Sequence, residues 1–115
     1  MPDVTLRAHY WGPNVMVVVG GPLDSDGART LAAHLRHAQG DGDLIIDLWD
    51  VTKFESRAVG IFTEAKVRAD QAGWGFAMVA DPNGPCTDAI ERAGEMENLR
   101  PFATRQEARA ALQQG

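Results

Sequence analysis

The chain has 115 residues, of which 44% are hydrophobic and 23% charged, and its formal net charge is −5. This size and composition are typical of one soluble globular domain, predicted here over residues 1–115, and exclude a largely disordered chain. The negative charge and the lack of a dense Lys/Arg patch argue against direct binding to nucleic acid.

The hydrophobic runs are too short for insertion into a membrane. The longest, such as residues 15–19, are far below the roughly 20 residues that a transmembrane helix needs. The N-terminus lacks the basic start and long apolar stretch of a secretory signal, and the single cysteine, Cys86, cannot form an internal disulfide. These features predict a cytoplasmic protein.

The first predicted elements form a β-hairpin. Residues 4–10 alternate between apolar and polar side chains, as a half-buried strand does, and residues 11–14 carry the Gly and Pro of a tight turn. Residues 15–19 are continuously apolar and mostly β-branched, which predicts a strand covered on both faces. We expect the segment 20–24, which contains two glycines and a proline, to end this strand.

Two amphipathic helices are predicted on either side of a third strand. Apolar side chains recur three and four residues apart from Ser25 to a glycine-containing segment at 40–42. Residues 43–49 form a short apolar strand, and the helical spacing returns after Ser56 until Gly73. A helix between two such strands is typical of a parallel crossover.

The C-terminal part predicts a fourth strand over residues 74–80 and a shorter helix over 87–93. Pro101 has no N–H to give, so the segment around Phe102 is at most an edge strand. Thr104, followed by Glu107 three residues later, predicts a capped final helix. The whole pattern predicts an α/β fold, a mixed sheet of four to five strands with about four helices packed against it.

No catalytic, cofactor-binding or metal-binding constellation is predicted. Neither a GxxxxGK[ST] nor a GxGxxG loop follows a strand, and no serine lies in a GxSxG motif. His34 and His37 supply too few ligands for a metal site. Trp11, Trp49 and Trp74 are interpreted mainly as packing residues, with a partner anchor as the alternative if two of them are exposed.

The segment 44–60, LIIDLWDVTKFESRAVG, resembles the hallmark of the STAS family, whose best-known members are bacterial anti-sigma factor antagonists. In that family a strand ending in Asp-Leu leads, after a Val and two bulky residues, into Asp-Ser-Ser-Gly-Leu-Gly at the start of a helix. The matching residues here are Asp47, Leu48, Val51, Phe54, Glu55, Ser56, Arg57, Ala58, Val59 and Gly60. Weaker matches are Gly21, Leu23 and Asp24 before the first helix and Phe102, Glu107 and Ala108 near the last. The resemblance implies a single STAS-like domain.

The resemblance also implies a function. Ser56 stands where the family carries a serine that is phosphorylated by a partner acting as both anti-sigma factor and serine kinase. The partner-contacting residues implied are Asp24, Glu55, Ser56, Arg57 and Ala58. Glu55 replaces Asp, Arg57 replaces the second Ser, and Ala58 replaces Gly of the family pattern. The expected function is therefore a non-enzymatic, partner-switching anti-sigma factor antagonist. The alternative is an unphosphorylated STAS-like adaptor or ligand-binding subunit of a larger sensory or lipid-transport assembly.

The residues around Ser56 give two further expectations. Ser56 precedes an amphipathic helix, so its hydroxyl oxygen is predicted to act as the N-cap. If Ser56 carries a phosphate, Lys53 and Arg57 are close enough in sequence to help neutralise it, whereas Glu55 opposes it.

Overall fold

The computed structural model describes residues 3–11, 14–38 and 42–114. Four strands and five helices follow one another through these residues. In chain order they are β1 Thr5–Trp11, β2 Asn14–Leu23, α1 Ser25–Ala38, β3 Leu44–Phe54, α2 Val59–Ala72, β4 Phe76–Val79, α3 Pro85–Arg92, α4 Met96–Leu99 and α5 Arg105–Gln114. A 3₁₀ turn, Ser56–Ala58, lies between β3 and α2.

The strands form one mixed sheet in the order β1-β2-β3-β4. β1 is antiparallel to β2, and β2 with β3 and β3 with β4 are parallel. The predicted α/β fold, with an N-terminal hairpin followed by parallel crossovers, is therefore confirmed. The hairpin turn was predicted partly on Gly12 and Pro13, and the end of the first helix partly on Gly40. These three residues lie outside the described part of the chain.

The prediction that the segment 20–24 breaks the second strand directly after Val19 is wrong, because β2 continues to Leu23. Gly20 pairs with Asp50, and Leu23 pairs with Phe54 near the end of a longer β3. Register shifts lie on both sides of Gly20 and Gly21, and Gly21 has a positive φ of 81°. Glycine tolerates that conformation without steric cost. The hydrogen bonds to β3 therefore hold the segment in the sheet despite its local turn signals.

The C-terminal elements differ from the predictions mainly at their boundaries. The third helix begins at Pro85, because the first residue of a helix needs no N–H for an intrahelical hydrogen bond. The four-residue α4 was not predicted, because it is too short to show a hydrophobic periodicity. Phe102 makes only an isolated parallel bridge with Val79, so the described residues form no fifth strand. Thr104 Oγ1 accepts a hydrogen bond from the Glu107 N–H at 3.1 Å, which confirms the predicted cap of α5.

Helices cover both faces of the sheet unequally. On one face, α1, α2 and α3 bury the main core, in which Leu31, Leu35, Phe62 and Ile90 are fully buried. On the other face, α5 covers a smaller apolar cluster around Ile45. None of the helices in the described ranges is both long and apolar enough to cross a membrane.

An ion pair attaches α5 to the sheet. Asp47 is 4% exposed, and its Oδ2 lies 2.5 Å from Nε of Arg105, the first residue of α5. Its Oδ1 accepts a hydrogen bond from the Trp49 N–H at 2.9 Å. Both carboxylate oxygens of Asp47 thus have partners, as a buried carboxylate requires. In this chain the Asp of the Asp-Leu pair therefore has a structural role.

Candidate functional site

Ser56 is exposed at the point where β3 ends and the second helical segment begins. It is the first residue of the 3₁₀ turn, and Glu55 before it has extended backbone angles of φ −84° and ψ 142°. The Ala58 N–H donates to the Glu55 carbonyl at 2.9 Å, which closes the turn, and α2 follows from Val59. The serine hydroxyl thus lies at the N-terminal end of a helical segment.

The prediction that Ser56 is the N-cap of the second helix is wrong. Glu55 occupies the residue before the 3₁₀ turn and Ala58 the residue before α2, and neither makes a capping hydrogen bond through its side chain. The chain enters the helix through a tighter 3₁₀ turn, which moves the cap positions away from Ser56. The serine is therefore not required there by helix capping.

Hydrogen bonds join this segment to the start of α1. Glu55 Oε2 accepts from Ser25 Oγ at 3.0 Å, and the Glu55 N–H donates to the Leu23 carbonyl at 3.1 Å. Asp24 Oδ1 accepts from the Gly27 N–H at 2.8 Å, so Asp24 is the cap of α1. The starts of α1 and of the second helical segment therefore lie side by side at the edge where β2 and β3 end.

These residues define what we call the helix-start surface: Asp24, Ser25, Glu55, Ser56 and Arg57. Ser25, Ser56 and Arg57 are exposed, whereas Asp24 and Glu55 are half-buried and fixed by the bonds just described. The structure thus brings together four of the five residues predicted to contact a partner. Ser25 was missed, because its hydrogen bond to Glu55 joins residues 30 positions apart and leaves no local sequence signal.

Ala58 does not belong to the helix-start surface. It is 0% exposed, because the 3₁₀ turn directs its side chain into the interior. Its prediction as a partner contact does not fit this burial. The methyl group that distinguishes it from the family's Gly faces the core, so it cannot obstruct a partner at the surface.

We expect Ser56→Ala to change the free energy of unfolding by less than about 0.5 kcal/mol, because Ser56 is exposed and caps no helix. Asp24→Ala removes a capping oxygen and is expected to cost about 0.5–2 kcal/mol. Urea denaturation of both variants measures the difference. A loss of more than about 1 kcal/mol for Ser56→Ala would contradict the assignment of Ser56 as a purely surface residue.

Cys86 is not a candidate nucleophile. Burial raises the pKa of its thiol to about 12, because the interior disfavours the charged thiolate. We expect no detectable modification of the native protein by 5,5′-dithiobis(2-nitrobenzoic acid) at pH 8 within minutes. In denaturant the exposed thiol should react at once. Fast reaction in the absence of denaturant would show that α3 opens readily.

Trp49 and Trp74 are half-exposed, at 46% and 42%, so neither is a core residue. Trp49 lies in β3 beside a shallow groove that Arg105 also lines. Trp74 is separated from the end of α2 by Gly73 and lies near the beginning of β3. The two indoles therefore occupy different sites and do not form one partner anchor. Across the described ranges, no three His, Cys, Asp or Glu side chains are placed to hold a metal ion.

Comparison with known proteins identifies the fold and the family. The chain resembles an anti-sigma factor antagonist from Mycobacterium paratuberculosis, with a TM-score of 0.86 and 22% identity over 96% of this chain and 95% of that one. SpoIIAA in its unphosphorylated form matches with a TM-score of 0.78 and 16% identity over 96% of this chain and 98% of that one. A variant of RsbS from Moorella thermoacetica matches with a TM-score of 0.75 and 13% identity over 95% of each chain. Such low identities establish the fold alone.

No curated protein sequence matches the chain significantly. A family model described as "Mlab, STAS domain" matches residues 11–101, which include the whole hallmark segment and the helix-start surface. Because this match extends over most of the 115 residues, the chain belongs to the STAS domain family.

Proposed function

We propose that this protein is a non-enzymatic anti-sigma factor antagonist of the cytoplasm that works by partner switching. In this proposal the helix-start surface binds an anti-sigma factor with serine kinase activity while Ser56 is unmodified. Phosphorylation of Ser56 then releases the partner. The observation that carries the proposal is the exposed hydroxyl of Ser56 at the start of a helical segment in a STAS domain.

The geometry of the helix-start surface supports recognition by a protein partner. Glu55 and Asp24 are held by the bonds to Ser25 and Gly27, so the residues that flank Ser56 are ordered before binding. A partner that binds a preorganised surface loses less conformational entropy than one that binds a mobile loop. The serine hydroxyl makes no cap, so a kinase can modify it without breaking a helix.

The charges near Ser56 explain how a phosphate could act without unfolding the domain. The N-terminal end of a helix attracts an anion through its amide groups and dipole, and Lys53 and Arg57 are both exposed close by in sequence. Glu55 opposes the new charge, so the local electrostatic balance stays near neutral. The new charge therefore acts mainly on a partner that buries the site.

Phosphorylation can be tested because the chain contains only two serines, Ser25 and Ser56. Proteins captured from native lysate by the unmodified chain are incubated with it and ATP, and the phosphate is located by mass spectrometry. We expect phosphate on Ser56 in the wild type and in Ser25→Ala, and none in Ser56→Ala. Phosphate on Ser25 alone, or no phosphate on the chain with an active captured kinase, would contradict the proposal.

A second candidate function is an unphosphorylated adaptor, such as a subunit of a larger sensory or lipid-transport assembly. Arg57 favours it, because an exposed cation stands where the family pattern has a second serine. In that case a phosphate on Ser56 would be absent in cells. The lysate capture would then recover transporter or sensor subunits in place of a kinase, and the same proteins would bind Ser56→Ala unchanged.

A further inference from the structure

A cavity of about 130 Å³ lies between α1 and α2, near the beginning of β3. Ser56 lies just after the C-terminal end of β3, so the cavity at the N-terminal end of that strand is separate from the helix-start surface. Its lining includes Arg36, Leu44, Arg68, Ala69, Ala72 and Trp74. None of these residues is one of the motif positions that match the family pattern, and the proposed function does not involve them.

Apolar side chains form part of the cavity wall. Leu44 and Ala69, which are 1% and 3% exposed, form buried parts of its lining. Trp74 follows Gly73, whose φ of 80° ends α2, and the Trp74 N–H donates to the Ala69 carbonyl at 2.9 Å. This bond is part of a Schellman motif, which fixes the backbone that carries the indole. The backbone that carries the indole is therefore held in place beside the cavity.

The charge of the cavity is opposite to that of the whole chain. Arg36 and Arg68 both line it, and its lining contains no Asp or Glu among the residues that the structure describes. The chain as a whole carries a formal charge of −5. A concave site lined by one sign of charge attracts ligands of the other sign, and guanidinium groups pair well with carboxylates and phosphates.

The volume limits the ligand to a small one. An apolar cavity of about 150 Å³ can hold benzene, so a site of this size accommodates about one ring. We propose that the cavity binds a small anion whose charged group, a carboxylate or a phosphate monoester, is attached to a ring-sized apolar group. The ring would lie against Trp74 and Ala69, with the anionic group facing Arg36.

An NMR titration of the full chain with benzoate tests this site. We expect saturable shifts of the indole N–H of Trp74, assigned with Trp74→Phe, and of the amide of Ala69. The indole N–H of Trp49, outside the cavity, serves as the internal reference and should stay in place. Phenyl phosphate, titrated in parallel, shows which anionic group is preferred, and benzyl alcohol supplies the ring without the charge.

The decisive variant is Arg36→Gln, because Arg36 is exposed in the last turn of α1 and substitutions at exposed positions usually have little effect on stability. Arg68 also interacts within the protein, so its substitution would disturb more than the cavity. We expect Arg36→Gln to raise the Kd for benzoate at least about fivefold. The matched control is Arg29→Gln, which removes the same charge from an exposed position on α1 outside the cavity. We expect its Kd for benzoate to stay within about twofold of the wild-type value.

Three results would overturn the proposal. The first is a linear, unsaturated response of Trp74 up to high benzoate concentration, which would mean that no site exists. The second is equal affinity for benzyl alcohol and for both anions, which would mean that the arginines do not recognise the charge. The third is an equal loss in Arg29→Gln and Arg36→Gln, which would indicate general charge attraction.

Discussion

Protein that carries phosphoserine at position 56 is expected to lose at least about tenfold in affinity for the proposed anti-sigma factor partner, a change of roughly 1.4 kcal/mol. It should keep the Tm and circular dichroism spectrum of the unmodified protein. A phosphate adds about −1.5 to −2 charges at neutral pH. A partner that buries the Ser56 hydroxyl would have to desolvate this charge, and an unpaired buried charge costs several kcal/mol.

Isothermal titration calorimetry with the partner identified by capture measures the loss, using phosphoserine inserted at position 56 during synthesis. Phosphoserine at position 25 is a demanding control, because Ser25 is exposed on the same helix-start surface and its hydroxyl donates to Glu55. It should weaken binding less than the modification at 56 if Ser56 is at the centre of the contact. Equal affinities of the unmodified protein and the 56-modified protein would exclude the switch.

Phe62→Ala is expected to lower the free energy of unfolding by about 3–5 kcal/mol. Phe62 is 0% exposed in the main core, and its ring centroid lies 5.8 Å from that of Phe54, the last residue of β3. The substitution therefore leaves a cavity and removes an aromatic contact beneath the segment that carries Ser56. The expected loss is a large fraction of the roughly 5–15 kcal/mol that stabilises an ordinary domain.

Chemical denaturation measures this loss, and the midpoint of thermal unfolding should fall by about 10 °C or more. Val67→Ala on the same helix is the matched control, because Val67 is 53% exposed and its truncation should cost less than about 0.5 kcal/mol. Losses of similar size in the two variants would mean that Phe62 is not held in a close-packed core.

Sequence patterns were enough to predict the order of the main elements, and the family resemblance indicated where the candidate site lies. Hydrophobic periodicity located the strands and the long helices, and local chemistry located two helix ends, the cap at Thr104 and the left-handed Gly73. The hallmark segment placed Ser56 at the start of a helical segment. Periodicity and helix capping depend on neighbours within about four residues, so both can be recognised directly in the sequence.

Several local preferences were overridden by contacts between elements that are distant in the sequence. Pairing with β3 kept Gly20 and Gly21 in β2 against their turn preference, and the 3₁₀ turn moved the cap away from Ser56 and buried Ala58. The bond from Ser25 to Glu55, 30 residues apart, and that from Arg105 to Asp47, 58 residues apart, have no local pattern. Such contacts depend on how whole elements pack, whereas periodicity and capping depend only on neighbouring residues in the sequence.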